Sequence, residues 1–282
     1  MTRAPAGQAP LREAEARSYA RRVRPIMSDH ELDGGWELVR AASPVWKGLS
    51  LSGFRDGGGG GPDLRIVALP AVTVVVQIGE SGFTTADARG VDGLVAGIAP
   101  GTHQVRSDRV DCVELRMPPT LAYSLLGIAP PDITGTVLGI EDLWGSSVDR
   151  LRAQLAETST WPARFELTTR FLADHATARH PDAEVAATWQ RIVAHGGRVR
   201  VRELVDLTGW SQKRLWTRFT AQIGVTPKRA AMVVRFRRAF DQLVAGESAA
   251  AAAAACGYTD QSHLHRDIAM FAGTTPGALA PR

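Results

Sequence analysis

The strongest constraint on this chain is a pattern that occurs twice in its C-terminal third, in Val201–Ile223 and again in Ser248–Gly273. In the first stretch Leu204, Val205 and Leu207 give a short amphipathic helix, and Gly209 supplies a residue that leaves a helix in the left-handed conformation without strain. Ser211 is then placed to cap a second helix, on which Leu215, Phe219 and Gln222 fall on one face. In the second stretch a short helix reaches Cys256-Gly257, Asp260 caps the next helix, and Leu264, Ile268 and Phe271 make its inner stripe. Between the two, Pro227 starts a long helix to about Val244, with Val234, Phe236, Phe240 and Leu243 inward. A short helix, a glycine turn and a capped second helix form the helix-turn-helix arrangement.

The outward faces of the two capped helices are polar and basic. The first carries Lys213, Thr217 and Thr220 with Arg214 and Trp216 at its flanks, and the second carries Gln261, Ser262, His263 and Arg266. Side chains of this kind on a helix fit a DNA major groove and reach base edges there. The charge distribution agrees. From Glu184 to the end there are 14 Lys and Arg against 7 Asp and Glu, whereas the rest of the chain has 19 against 22. A basic third on a slightly acidic body predicts one part that meets a polyanion and one that does not.

The stretch Gly257-Tyr258-Thr259-Asp260-Gln261-Ser262-His263-Leu264-His265-Arg266, followed by Phe271-Ala272-Gly273-Thr274-Thr275-Pro276, resembles the signature of the arabinose-regulator (AraC) type of transcription regulators. The first unit is similar through Gly209-Trp210-Ser211, Leu215, Arg218-Phe219 and Gly224-Val225-Thr226-Pro227. The resemblance implies two helix-turn-helix units joined by a rigid helix, with two recognition helices entering successive major-groove segments on one face of a duplex. It implies DNA-binding roles for Ser211, Gln212, Lys213, Arg214, Trp216 and Thr217 in the first unit, and for Gln261, Ser262, His263 and Arg266 in the second. The chain departs from the family pattern at Thr217, where arginine is common, and at Ala269 and Met270, which are often basic. Ala249 and Ala252 replace larger apolar residues of the short helix. The second unit is therefore expected to be the softer one, because each missing side chain at a buried site costs about 2–5 kcal/mol unless neighbours collapse inward.

The rest of the chain reads differently. Met1–Arg24 is polar and Arg-rich, so residues 1–30 are expected to be a flexible arm, with a helix over Leu11–Arg24 as its one regular element. Residues 31–180 are expected to be a strand-rich, barrel-like domain with appended helices, and residues 184–282 the all-α domain described above, giving an α+β chain. Strands are predicted at Trp36–Ala41, Leu49–Phe54, Leu64–Leu69, Thr73–Ile78, Gly93–Ile98, Thr102–Arg106 and Val110–Met117, with a loop at Gly57–Pro62. Helices follow at Pro119–Leu126, Ser147–Glu157, Trp161–His175 and Pro181–Ala194. Ser147 opens its helix as a cap, and Val148, Leu151 and Leu155 repeat at helical spacing. The stretch Pro130–Gly135 through Leu143-Trp144-Gly145 resembles the N-terminal domains of regulators in the same group.

Chemistry is absent from the sequence pattern. His103 is the only histidine of the strand region, so no multi-histidine metal cluster forms there, and the His263/His265 spacing is better explained by a recognition helix. Cys112 has no partner histidine and reads as a core residue, and no nucleophile elbow, phosphate loop or dinucleotide fingerprint occurs. A cysteine-based DNA alkyl-transfer enzyme would need a cysteine cluster and an activated thiol, and the two cysteines are isolated. No cofactor or metal is expected, and Trp210 and Tyr258 are expected to pack in the core. With neither a signal peptide nor an apolar run of membrane length, a cytoplasmic location is expected. The function expected is sequence-specific DNA binding and transcription regulation by a protein that is not an enzyme. Its partners would be double-stranded DNA, a small effector or partner at the N-terminal domain, RNA polymerase if it is an activator, and a second copy if it is a homodimer. The competing expectation is an interaction module whose helix-turn-helix domain no longer binds DNA.

Overall fold

The computed structural model describes residues 23–25, 36–42, 45–57, 63–85, 90–98 and 102–279, so most of the expected N-terminal arm and its helix lie outside the described residues. Where the sequence predicts the end of that helix, Val23–Pro25 forms a short strand, β1, paired in parallel with β4 (Asp63–Ile66). Pro25 disfavours the helical conformation in Arg24 and pushes it towards extended backbone.

The strand-rich region builds two sheets. β2 (Glu37–Arg40), β3 (Ser50–Arg55), β5 (Val72–Gln77), β7 (Gly93–Ala96), β9 (Asp111–Met117) and β10 (Val137–Gly139) form a six-stranded sheet in the order β10-β7-β5-β9-β3-β2. The other sheet has the order β1-β4-β8-β6, with β6 at Phe83–Thr84 and β8 at His103–Ser107. Every pairing except β1 with β4 is antiparallel, and reciprocal backbone bonds pair Phe83 of β6 with Val91, two residues before β7. The result is the barrel-like arrangement the strand spacing suggests. β6 and β10 were not legible, because two or three residues cannot show an alternation.

The central strand shows why the sheet lies where it does. Val72, Val74 and Val76 face the helices, while Val75 faces the second sheet among Phe54, Phe83, Leu94, Val105 and Cys112. A strand covered on both faces reads as a near-continuous apolar run, and VTVVVQ, buried at all six positions, has four valines with Thr73 and Gln77 as its polar members. The helical layer consists of α1 (Pro119–Leu125), α2 (Glu141–Trp144), α3 (Ser147–Glu157) and α4 (Trp161–His175), with a 3-10 turn at Pro130–Ile133. Val148, Leu151 and Leu155 are buried as their spacing predicts. The expected cap at Ser147 is a correction. Its hydroxyl donates back to the Trp144 carbonyl, and the residue in the cap position, Ser146, makes no side-chain cap bond.

Gly53 of β3 lies against the Trp161 ring, and a Cβ there would come within 2.2 Å of it. Trp161 is itself fixed by its indole N–H, which donates to Glu37 at 2.9 Å. Gly53→Ala is expected to destabilise the chain by about 1–3 kcal/mol, the usual cost of overpacking, and urea unfolding followed by tryptophan fluorescence measures it.

The C-terminal third is helical: α5 (Ala183–Ala194), α6 (Val201–Thr208), α7 (Gln212–Ile223), α8 (Pro227–Val244), α9 (Ala249–Cys256), α10 (Gln261–Ala272) and α11 (Pro276–Leu279). One core serves all of it. Val185, Trp189, Leu215, Phe219, Phe236, Phe240, Leu264, Ile268 and Phe271 pack together, so neither short unit has to fold alone. The sheet region joins this core through Val67, Ala68 and Ile98, and the Ala68 amide donates to the Phe271 carbonyl at 3.1 Å.

Candidate nucleic-acid interface

Both units are built by the same local chemistry. In the first, Gly209 ends α6 in the left-handed region (φ +66°), and the Ser211 hydroxyl accepts from the Arg214 amide at 3.3 Å to start α7. In the second, Gly257 ends α9 (φ +73°), and the Asp260 carboxylate accepts from the His263 amide at 2.7 Å to start α10. Gly224 and Gly273 end both recognition helices in the same left-handed conformation. Each cap satisfies an otherwise unpaired helix amide and contributes about 1 kcal/mol.

These starts turn a defined face of each helix outward. On α7, Gln212, Lys213, Arg214 and Thr217 are exposed, and Leu215, Phe219, Gln222 and Ile223 are buried. The Arg214 guanidinium lies 4.4 Å over the Trp210 ring, and Trp210 itself packs against the shared core, as expected for a residue after the turn glycine. Trp216, placed by the sequence among the outward residues, is half-buried and packs against the same core. On α10, Gln261, Ser262, His265 and Arg266 are exposed, and the Arg266 Nε donates to the Ser262 carbonyl at 3.3 Å. His263 is half-buried, its ring edge-on to Tyr258 at 5.1 Å. Of the two histidines, the one that faces outward is therefore His265. Leu207, expected on the inner face of α6, is 42% exposed, and Leu204 alone of that helix is buried.

The long helix divides its arginines. Arg235 pairs with buried Asp267 of α10 at 3.4 Å and lies 4.7 Å over the Tyr258 ring, so it ties the second unit to α8. Burial, and then the Asp267 charge, push the Tyr258 hydroxyl well above its ordinary range. Arg237 pairs with Asp241 at 2.8 Å, whereas Arg238 is exposed. Exposed Arg198, Arg200 and Arg202, at the start of α6, add positive charge beside the first unit. Their signal was a simple alternation of Arg and Val, which periodicity alone does not single out.

Neither thiol is set up as a nucleophile. Cys112 and Cys256 are both buried, and burial raises both, in Cys112 with help from Glu114 and Asp111. An activated cysteine needs the opposite shift. Among the described residues no three His, Cys, Asp or Glu side chains gather as a metal site, and no helix is long and apolar enough to cross a membrane.

In α9, Ala252, Ala253 and Cys256 are buried and Ala249 is half-buried, so the short helix meets α8 through small side chains. With Cys256, α9 buries three residues against one in α6, so burial runs against the expectation that the second unit is the softer.

Two capped helices, each after a left-handed glycine and both seated on one long helix, define a tandem helix-turn-helix domain. Residues 204–282 match the family profile described as a helix-turn-helix domain. The chain is thus similar to that helix-turn-helix family over its last 79 residues. The transcriptional regulator YbfI of Bacillus subtilis (strain 168) is 34% identical over 85 residues, which make up 30% of this chain and 31% of that protein. The match thus spans under a third of that relative's length. Among solved structures, ToxT from Vibrio cholerae is similar with a TM-score of 0.46 at 8% identity, covering 82% of this chain and 97% of that one. The xylose-binding transcription activator XylR is similar with a TM-score of 0.33 at 19% identity, covering 42% of this chain and 37% of that one.

Proposed function

We propose that this chain is a sequence-specific DNA-binding transcription regulator, whose C-terminal domain (residues 184–282) reads DNA and whose strand-rich domain (residues 31–180) controls it. The observation that carries the reading is the pair of capped helices on one core, each presenting polar and basic side chains from its first turns. Lys213, Arg214 and Thr217 on α7, with Gln261, Ser262 and Arg266 on α10, are the groups offered to a duplex; Trp216 and His263 offer only an edge. Ser211 acts as the cap that aims the first set. The reading makes the protein cytoplasmic and not an enzyme. It leaves RNA polymerase as a partner if transcription rises, and a homodimer as the arrangement that suits paired half-sites.

A small effector fits the reading less directly. The interior between the sheets is filled by Phe54, Phe83, Val105 and their neighbours. A cleft of about 270 Å³ lies between Pro70, Ala71 and Pro118 of the sheet region and Trp189, Val193 and Val234 of the helical region. A ligand there would touch both domains.

The second reading, a protein-interaction module, draws on the uncharged Thr217, Ala269 and Met270 on the exposed faces. Duplex binding at several salt concentrations separates the two. A regulator that neutralises phosphates loses affinity linearly in log salt, by about 0.9 in slope per phosphate on B-DNA. A flat or undetectable response points to the interaction module.

A further inference from the structure

The two recognition helices are held differently by the rest of the chain. The C-terminal half of α7 is gripped by groups that do not belong to its own unit. The Thr134 hydroxyl, just after the 3-10 turn, lies 2.9 Å from the Pro130 carbonyl and 3.1 Å from the Gly224 carbonyl at the end of α7. The fit is close. A Cβ on Gly224 would come within 2.3 Å of the Thr134 hydroxyl and 2.8 Å of the Pro130 carbonyl.

A second hold comes from the segment that connects the domains. Arg218 of α7 donates Nε and Nη2 to the Asp182 carboxylate at 2.7 and 2.8 Å, and the Asp182 amide donates to Gln222 at 2.8 Å. The hydrogen bond from Arg218 holds the Asp182 carboxyl below its ordinary range. The same segment is strapped to α1. The Thr177 amide and hydroxyl both donate to the Ser124 carbonyl at 2.8 Å, and the Arg179 guanidinium lies 4.5 Å over the Tyr123 ring. The second recognition helix is met by other groups: the Ala68 amide donates to the Phe271 carbonyl, and Val67, Ala68 and Ile98 pack into the core that α10 shares.

We infer that the N-terminal domain acts on the first helix-turn-helix unit, with residues 130–135 and the strap 177–182 forming an intramolecular docking surface for the back end of α7. This rests on the regulator reading and adds which unit receives the signal. A helix of twelve residues is a rod about 18 Å long, so a tilt of about 5° at the gripped end moves the opposite end by about 1.5 Å. That end carries Gln212 and Lys213, and a hydrogen bond to a base does not survive such a shift. The second unit, anchored to α8 by Arg235 and Asp267, keeps its position. Residues 130–135, prominent in the sequence yet without helical or strand periodicity, thereby acquire a role.

The test is hydrogen exchange on the full chain without DNA, comparing the native protein with Thr134→Arg, Thr134→Ser and Arg179→Ala. Thr134→Arg pries the contact open, Thr134→Ser keeps the hydroxyl, and Arg179→Ala loosens the exposed strap without touching the sheet core. Thr134→Arg and Arg179→Ala are expected to raise exchange over residues 217–224 on the order of tenfold, the change that loss of one or two net hydrogen bonds gives. Exchange in α10 should stay within about twofold of the native rate, and Thr134→Ser should resemble the native protein. An equal rise in α7 and α10, or no change in α7 in either perturbed variant, overturns the inference. Because no duplex is present, this outcome is independent of the salt-dependent binding on which the regulator reading stands or falls.

Discussion

Replacing Lys213 and Arg266 together by alanine is expected to weaken binding to a selected duplex by about 30-fold to 10⁴-fold, as two lost base or phosphate contacts at about 1–3 kcal/mol each imply. Lys213 is the second residue of α7 and Arg266 the sixth of α10, both within the first two turns, and both are exposed. Neither contributes to the shared core, so the double variant should melt within about 0.5 kcal/mol of the native chain, as surface changes usually do. Fluorescence anisotropy on a labelled duplex, with a salt series, separates two kinds of contact. If both residues touch phosphate, the salt slope falls by about two and affinity drops on every sequence alike; if they touch bases, discrimination between sequences is lost first.

Phe236→Ala is expected to cost about 3–5 kcal/mol, a large part of what holds a domain of this size together. Phe236 is fully buried at the middle of α8, with its ring 5.7 Å from Phe240 and 5.0 Å from Phe271 of the second recognition helix. Truncation leaves a cavity between the long helix and α10, and neighbouring Phe240 and Ile268 are themselves closely packed. Urea unfolding should show a lower midpoint. Duplex affinity under native conditions should fall more for the element read by the second unit than for the one read by the first. A loss below about 1 kcal/mol would mean that this core is far more compliant than its burial indicates.

The C-terminal architecture was legible because its punctuation is chemical. A left-handed residue must end α6 and α9, glycine supplies it at Gly209 and Gly257, and a side-chain acceptor must start α7 and α10, which Ser211 and Asp260 supply. The inner stripes followed from spacing alone. What spacing missed were residues one step from a buried position. Trp216 follows Leu215 and His263 precedes Leu264, a rotation of about 100° that puts them on the flank, where a large ring folds back onto the core. In the N-terminal domain the long strands were legible by apolar content. β6, β10, α2 and the 3-10 turn were too short to show a period, and the serine expected to cap α3 makes its hydrogen bond to Trp144 instead. The docking of residues 130–135 against Gly224 was out of reach for a different reason: it joins residues ninety positions apart, and no local pattern records such a pairing.

The central claim is that the two exposed helix faces read DNA sequence together. Selection of bound duplexes from a random pool, with the native chain and the Lys213/Arg266 double alanine variant side by side, tests it most directly. The account predicts an enriched motif of two elements about one helical turn apart, absent from the pool recovered with the variant. No enrichment with the native chain at low salt, or the same motif recovered with the variant, would contradict it.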